Sequence, residues 1–216
     1  MYVHPAFAMD DNWAINHLRT RGFGLLALST SGAPVSTHVP FLVEKQLDGK
    51  YRILLHVARN NSLCRQITSG CQVLLVCQGP DAYISPDWYG VPNQVPTWAY
   101  SSVHVTGHAQ LLPESENMTH VESLSNEFER RLLPKPVWTM AKINSSQRQA
   151  MLKAIVSIAI DIESIEAQKK LIQHKGKREH TGVIAGLNAH RGTGSHEISA
   201  MIQETFRQKG ENESKT

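Results

Sequence analysis

Apolar residues change their period several times along the chain, and each change marks the start of a new element. Asp10-Asp11-Asn12 supplies capping side chains for a helix to about residue 21, with Trp13, Ile15 and Leu18 available for packing. Residues 23–29 form a short apolar run, Ser31-Gly32-Ala33-Pro34 is turn-like, and a second run covers 35–43, so the two are expected to pair as a hairpin. Pro40 has no N–H to give to a ladder and points to an edge or a bulge. After the turn signal Asp48-Gly49, Tyr51, Ile53, Leu55 and Val57 alternate with Arg52 and His56.

A short helix over 62–69 is expected to lead to an apolar strand over 71–77. Residues 79–96 hold four prolines and two glycines around Tyr83, Trp88 and Tyr89, which reads as a long loop of the kind that often carries function. Alternation returns over 100–112, with Val103, Val105, Ala109 and Leu111 on one side and His104, Thr106, His108 and Gln110 on the other. Met118, Val121, Leu124, Phe128 and Leu132 keep helical spacing up to Pro134-Lys135-Pro136, and a further helix is expected over 145–153. Val156, Ile158, Ile160 and Ile162 then alternate in one more strand. Near the end, Ile198, Met201, Ile202 and Phe206 line a helix capped by Ser195, with a polar tail behind it. The basic stretch 169–178 and the glycine-bearing stretch 186–194 read as loops beside a site.

Six or seven strands with short turns and late helices indicate a mainly β fold with added helices, closed into a small barrel. There is no βαβ rhythm, and neither GxGxxG nor GxxxxGK[ST] is present, which removes the Rossmann and P-loop readings. A length of 216 residues fits a single domain over 1–216, with a helical extension at about 178–208 and a polar tail over 209–216. No stretch approaches the roughly 18 apolar residues of a membrane span, and the first residues lack the basic and apolar regions of an export signal. A cytoplasmic protein is expected. Cys64, Cys71 and Cys77 make neither a disulfide framework nor a CxxC pair and are read as reduced and buried. The net charge of +3, with eleven histidines, falls well short of the dense basic footprint of a DNA-binding domain but suits an anionic ligand.

Two strings carry candidate chemistry. His56-Val57-Ala58-Arg59-Asn60-Asn61 places a guanidinium and polar side chains where a strand ends and a helix begins, a junction that suits either phosphate binding or simple helix capping. Residues 79–89, with Val95-Pro96-Thr97-Trp98-Ala99-Tyr100 and Val103-His104-Val105, offer aromatic rings and rigid prolines that either wall a flat ring or seal a core. His104 and His108 lie four apart on a strand, about 13 Å in rise, too far to chelate one metal. No haem motif accompanies His104 or His190, and neither GxSxG nor HExxH occurs.

In this order and spacing, HVARNN, GPDAYISPDWY, VPTWAY and VHVTG resemble the PaiB-type FMN-binding negative transcriptional regulators. Lys169-Lys170-Leu171-Ile172-Gln173-His174-Lys175 and Gly182-Val183-Ile184-Ala185-Gly186-Leu187 extend the resemblance over nearly the whole chain. Ala99 and His174 stand where the family commonly has asparagine. The resemblance implies a split β-barrel of the FMN-binding type, similar to pyridoxamine phosphate oxidases, acting as a homodimer. It implies that His56, Val57, Ala58, Arg59 and Asn60 hold the phosphate and ribityl chain of FMN. Trp98, Tyr100 and His104 would flank the flavin, with Lys170 and Gln173 reaching it across a dimer interface. Two functions follow from it: flavin-dependent regulation without an obvious DNA-binding motif and with weak direct DNA binding, or an FMN-dependent oxidoreductase acting with a small-molecule substrate or redox partner.

Overall fold

The computed structural model describes residues 1–67, 70–190 and 192–213, with side chains to residue 208. Six strands, β1 (Phe23–Leu28), β2 (Val35–Lys45), β3 (Tyr51–Ala58), β4 (Cys71–Ile84), β5 (Thr97–Leu111) and β6 (Ile155–Lys170), close into a barrel in the order β1-β2-β3-β6-β5-β4. Six helices accompany them: α1 (Asp11–Arg21), α2 (Ser62–Gln66), α3 (Asn117–Arg130), α4 (Ser145–Lys153), α5 (Lys177–Ala189) and α6 (Ser195–Glu213). The split-barrel fold class expected from the sequence is the observed one.

The chain divides into two compact units. A barrel unit comprises Ile15–Cys77 and His104–Ile165, and a helical unit comprises Met1–Ala14, Gln78–Val103 and Glu166–Thr216. In the barrel unit, β1 and β2 form the expected antiparallel hairpin from Phe23↔Pro40 to Leu28↔Val35. β2 then pairs with β3 from Phe41↔Leu55, and β3 with β6. Pro40 lies on no edge, because the barrel has none; it sits where β2 leaves β1 and takes up β3, so its missing N–H interrupts neither ladder. Alternation places Leu26, Phe41, Ile53, Leu55, Leu75, Val105, Ile158 and Ile160 inside, each 1% exposed or less. Burial of each such side chain is worth about 1.5–3 kcal/mol.

The strands outrun the sequence expectations. β4 continues past Cys77 to Ile84, so the loop expected over 79–96 is much shorter. Its burial flips from odd positions up to Gly79 to even ones at Ala82 and Ile84, as an inserted residue at Pro80-Asp81 would cause. β6 continues to Lys170, which puts the start of the basic stretch on a strand and not in a loop. α2 stops at Gln66; Ser69, the expected end of that helix, lies outside the described residues. All three cysteines are free, but only Cys77 is buried, with Cys64 and Cys71 half-buried.

In the helical unit, Ile84, Tyr89, Leu171, Val183, Leu187, Ile198 and Ile202 make one apolar cluster. The stretch read as a glycine-bearing loop begins inside α5. A Cβ on Gly182 would lie 2.0 Å from the Trp88 carbonyl oxygen, and one on Gly186 2.4 Å from the Trp88 ring, so these two glycines let the helix close on Trp88. α6 continues to Glu213, and the last three residues of the expected polar tail lie outside the described residues.

Candidate cofactor site

In the barrel unit, the end of β3 turns into α2 through Arg59, Asn60 and Asn61. Of the two readings of this junction, helix capping is met by Asn61. Asn61 caps α2, its side-chain oxygen accepting from the Leu63 N–H at 2.9 Å while its amide donates to Thr37 Oγ1 at 3.1 Å. Asn60 is exposed and makes no hydrogen bond among the described residues. Arg59 is partly committed: its Nε donates to the Lys153 carbonyl at 2.8 Å, and its Nη2 donates to the Ile155 carbonyl at 3.2 Å and to the Glu114 carboxylate. Its Nη1 has no partner among the described residues, and the side chain is 46% exposed. One edge of the guanidinium therefore remains for an anion, beside the free amide of Asn60.

Val57 and His56 point to opposite sides of β3. Val57 is buried, so it offers a ligand only its backbone. His56 contacts α3, its Nδ1 standing 3.0 Å from Nε2 of the buried His120. Burial holds both imidazoles below their ordinary value, and the nearby His56 helps push His120 down to about 4. Next to this pair, Asn117 donates to the Leu152 carbonyl at 3.0 Å and accepts from Ser157 Oγ at 2.7 Å, which ties α3 to β6. His120 was not singled out in the sequence. The signal was present, since Asn117, His120 and Leu124 share the buried face of α3, and a histidine there needs a polar partner. Ala58 is exposed at the strand end and His104 half-buried on β5.

The helical unit brings the other candidates together on neighbouring strand ends. Gln168, 4% exposed, donates to the Tyr100 hydroxyl at 2.8 Å, and Lys170 Nζ donates to Thr97 Oγ1 at 2.9 Å. Trp98 is 54% exposed and meets Tyr83, 47% exposed, edge to face at 6.2 Å between centroids. A pair of large rings left open to water is a fit surface for a flat heterocycle. Gln173 is spoken for within its own turn, accepting from the Leu171 N–H at 2.7 Å and donating to the Lys169 carbonyl. Ala99 is fully buried in the apolar cluster of this unit.

The profile of the family described as "Putative FMN-binding domain" matches residues 1–164. The chain belongs to this family. Its cofactor is FMN; taken unit by unit, the arginine edge and free amide of the barrel unit are chemically suited to a phosphate, and the exposed aromatic rings of the helical unit to a flat heterocycle. The chain is 29% identical over 208 residues to "Protease synthase and sporulation protein PAI 2" of Bacillus subtilis (strain 168), covering 96% of this chain and 99% of the relative. The expected resemblance to PaiB-type proteins is thereby borne out. Among solved structures, the fold is similar to the flavocytochrome Anf3 from Azotobacter vinelandii, with a TM-score of 0.55 at 15% identity, covering 83% of this chain and 78% of that one. It is also similar to an FAD and heme binding protein from Mycobacterium smegmatis, with a TM-score of 0.53 at 14% identity over 86% and 80% of the two chains. Among the described residues, no helix is long and apolar enough to cross a membrane, and no group of three or more His, Cys, Asp or Glu side chains is placed to hold a metal ion.

Proposed function

We propose that this chain is a cytoplasmic, homodimeric FMN-binding regulatory protein that responds to the state of its flavin and does not itself read DNA. The observation that carries this reading is the condition of its late helices. Val183, Leu187, Ile198 and Ile202 are buried at 1% exposure or less, while on the open side of α6 Arg207 donates to Glu204 at 2.8 and 3.0 Å. A groove-reading helix needs free cations and base-reading amides on its open face, and here the arginine is neutralised by its neighbour. A regulatory role is supported by the resemblance of the sequence motifs to the PaiB-type regulators, alongside 29% identity to the Bacillus protease synthase and sporulation protein over 96% of the chain.

In this reading the FMN phosphate and ribityl chain are held by His56, Arg59 and Asn60 with the backbone of Val57 and Ala58. Trp98, Tyr100 and His104 flank the ring, and Lys170 and Gln173 approach from the partner subunit. Gln173 would do so through its backbone, its side chain being engaged within its own turn. When bound, FMN supplies hydride and single-electron transfer. The second subunit is supported by an apolar groove of about 290 Å³ on the barrel, lined by Ala27, Leu28, Pro34, Val73 and Leu74, an apolar surface that a partner would cover. Sedimentation of the FMN-loaded protein tests the assembly. A dimer is expected, and a monomer that holds FMN tightly contradicts an inter-subunit site.

A second reading, an FMN-dependent oxidoreductase, is favoured by the exposure of Trp98 and Tyr83, which leaves room for a substrate over a bound ring. Anaerobic addition of NADH or NADPH separates the two. Bleaching of the flavin within seconds and turnover with an acceptor support the enzyme, whereas flavin that stays oxidised supports the regulator.

A further inference from the structure

In the helical unit, β6 ends at Lys170 and the chain reverses through residues 171–176 into α5. Ile172, 1% exposed, is held at φ 57, a left-handed conformation that strains a β-branched residue. The turn is locked several times over: by the Gln173 amide on Leu171 and Lys169, and by the Lys175 N–H donating to the Ile172 carbonyl at 2.9 Å. Strain of this kind persists only where surrounding contacts over-determine it. Its effect is to fix the directions of Lys170, His174 and Lys175.

Both ammonium groups are tethered by neutral partners three residues apart. Lys170 holds Thr97 Oγ1 at 2.9 Å; Lys175 holds Gln94 Oε1 at 2.5 Å and lies 4.9 Å from the centre of the Tyr89 ring. Among the described residues neither lysine forms an ion pair. Their neighbours differ: the amino group of Met1 is paired with Glu166, and Lys169 feels Glu204. His174 is exposed beside them. Partial desolvation and then the charges of Lys175, Lys170, His180 and His4 hold its pKa below the ordinary value. The acidic group of this turn, Glu179, lies over Gly176 at the amino end of its own helix and acts on Tyr89. The result is two tethered cations without an ion pair among the described residues, both near enough to His174 to act on its charge, each lysine keeping free N–H donors after its tether.

We propose that Lys170, His174 and Lys175 form an anion subsite that takes the phosphate of a small phosphorylated ligand. That phosphate has two possible sources, the FMN of the proposed inter-subunit site or a second ligand bound alongside FMN. Only the first source rests on the functional reading above. Phosphate suits the arrangement because its several oxygens can accept from both ammonium groups and an imidazole N–H together, which one carboxylate does less well.

The test is a titration of the FMN-free wild-type protein with inorganic pyrophosphate, following the His174 imidazole by NMR, with chloride at matched ionic strength as control. The resonance is assigned from His174→Gln. Saturable binding is expected, with the His174 midpoint rising by roughly half a unit or more. The effect should vanish in the Lys170→Gln/Lys175→Gln double variant and persist in the Lys170→Arg/Lys175→Arg variant. A response no larger than that to chloride, or one retained without the lysines, overturns the subsite. Repeating the titration on FMN-loaded protein distinguishes the sources: pyrophosphate that displaces FMN identifies the FMN phosphate as occupant, and pyrophosphate that binds beside retained FMN identifies a second ligand. If the wild type takes no FMN while His174 still responds, the subsite stands and the flavin reading fails.

Discussion

His56 and His120 face each other through Nδ1 and Nε2 at 3.0 Å, with their rings 75° apart. Only one of the two nitrogens can carry the shared proton, so the contact requires at least one neutral ring, and burial keeps both neutral. The other nitrogen of His120 is buried without a partner among the described residues, which adds to the cost of any charge there.

This pair makes stability depend on pH in a defined direction. Both folded-state pKa values lie below the ordinary 6.5, so as pH falls the unfolded chain takes up protons first. The contribution is complete above about pH 6.5 and is lost progressively towards the His120 value of about 4. Unfolding free energies from denaturant titrations at pH 7.5 and 4.5 should differ by an amount on the order of 2 kcal/mol, the lower pH being the less stable. His120→Gln should flatten that slope while lowering stability at neutral pH. An unchanged slope in the variant contradicts the assignment.

Arg59→Ala separates the two roles of that residue. Loss of its bonds to the Lys153 and Ile155 carbonyls should lower stability by about 1–2 kcal/mol. Loss of its free edge should weaken FMN about ten- to a hundredfold while leaving riboflavin nearly unchanged. Calorimetric titration with both ligands checks this. Equal losses for the two would make Arg59 purely structural.

Gly182→Ala should destabilise the helical unit by roughly 2–4 kcal/mol, although alanine is the better helix former by about 1 kcal/mol. The new methyl would meet the backbone oxygen of Trp88, which cannot swing aside. Gly32→Ala, whose Cβ meets nothing closer than 3.9 Å, serves as the control and should be nearly neutral. Thermal melts followed by tryptophan fluorescence read both.

The barrel was legible in the sequence because its strands alternate cleanly, as at Tyr51, Ile53, Leu55 and Val57, and because turn signals such as Asp48-Gly49 separate them. The continuation of β4 was not, since Gly79-Pro80 carries the strongest breaker signal in the chain and the phase change that absorbs it is visible only in burial. Nor was the placement of Gly186 inside a helix, in a stretch read as a loop, since the reason for glycine there is a distant residue, Trp88. In the barrel unit, motif order pointed to His56 and Arg59, but His120 reaches the first from α3 and Glu114 the second from the turn before it, contacts that no local pattern encodes.

Direct DNA binding by the isolated protein should be weak. With a net charge of +3, Arg207 paired to Glu204 and the basic turn engaged by a phosphate ligand, few cations remain to displace counterions. An anisotropy titration at about 150 mM salt with promoter and scrambled duplexes should give similar, weak affinities. A thousandfold preference for the promoter would mean that the protein represses by direct contact.

We propose that this barrel holds FMN through its phosphate as well as its ring. This is tested most directly by titrating the purified, flavin-free protein with FMN and with riboflavin while following flavin fluorescence and the visible spectrum. Saturable FMN binding is expected, with one flavin per chain, a perturbed isoalloxazine band, and riboflavin bound at least tenfold more weakly. Equal affinity for the two flavins would contradict the phosphate contact, and no affinity for either would contradict the account as a whole.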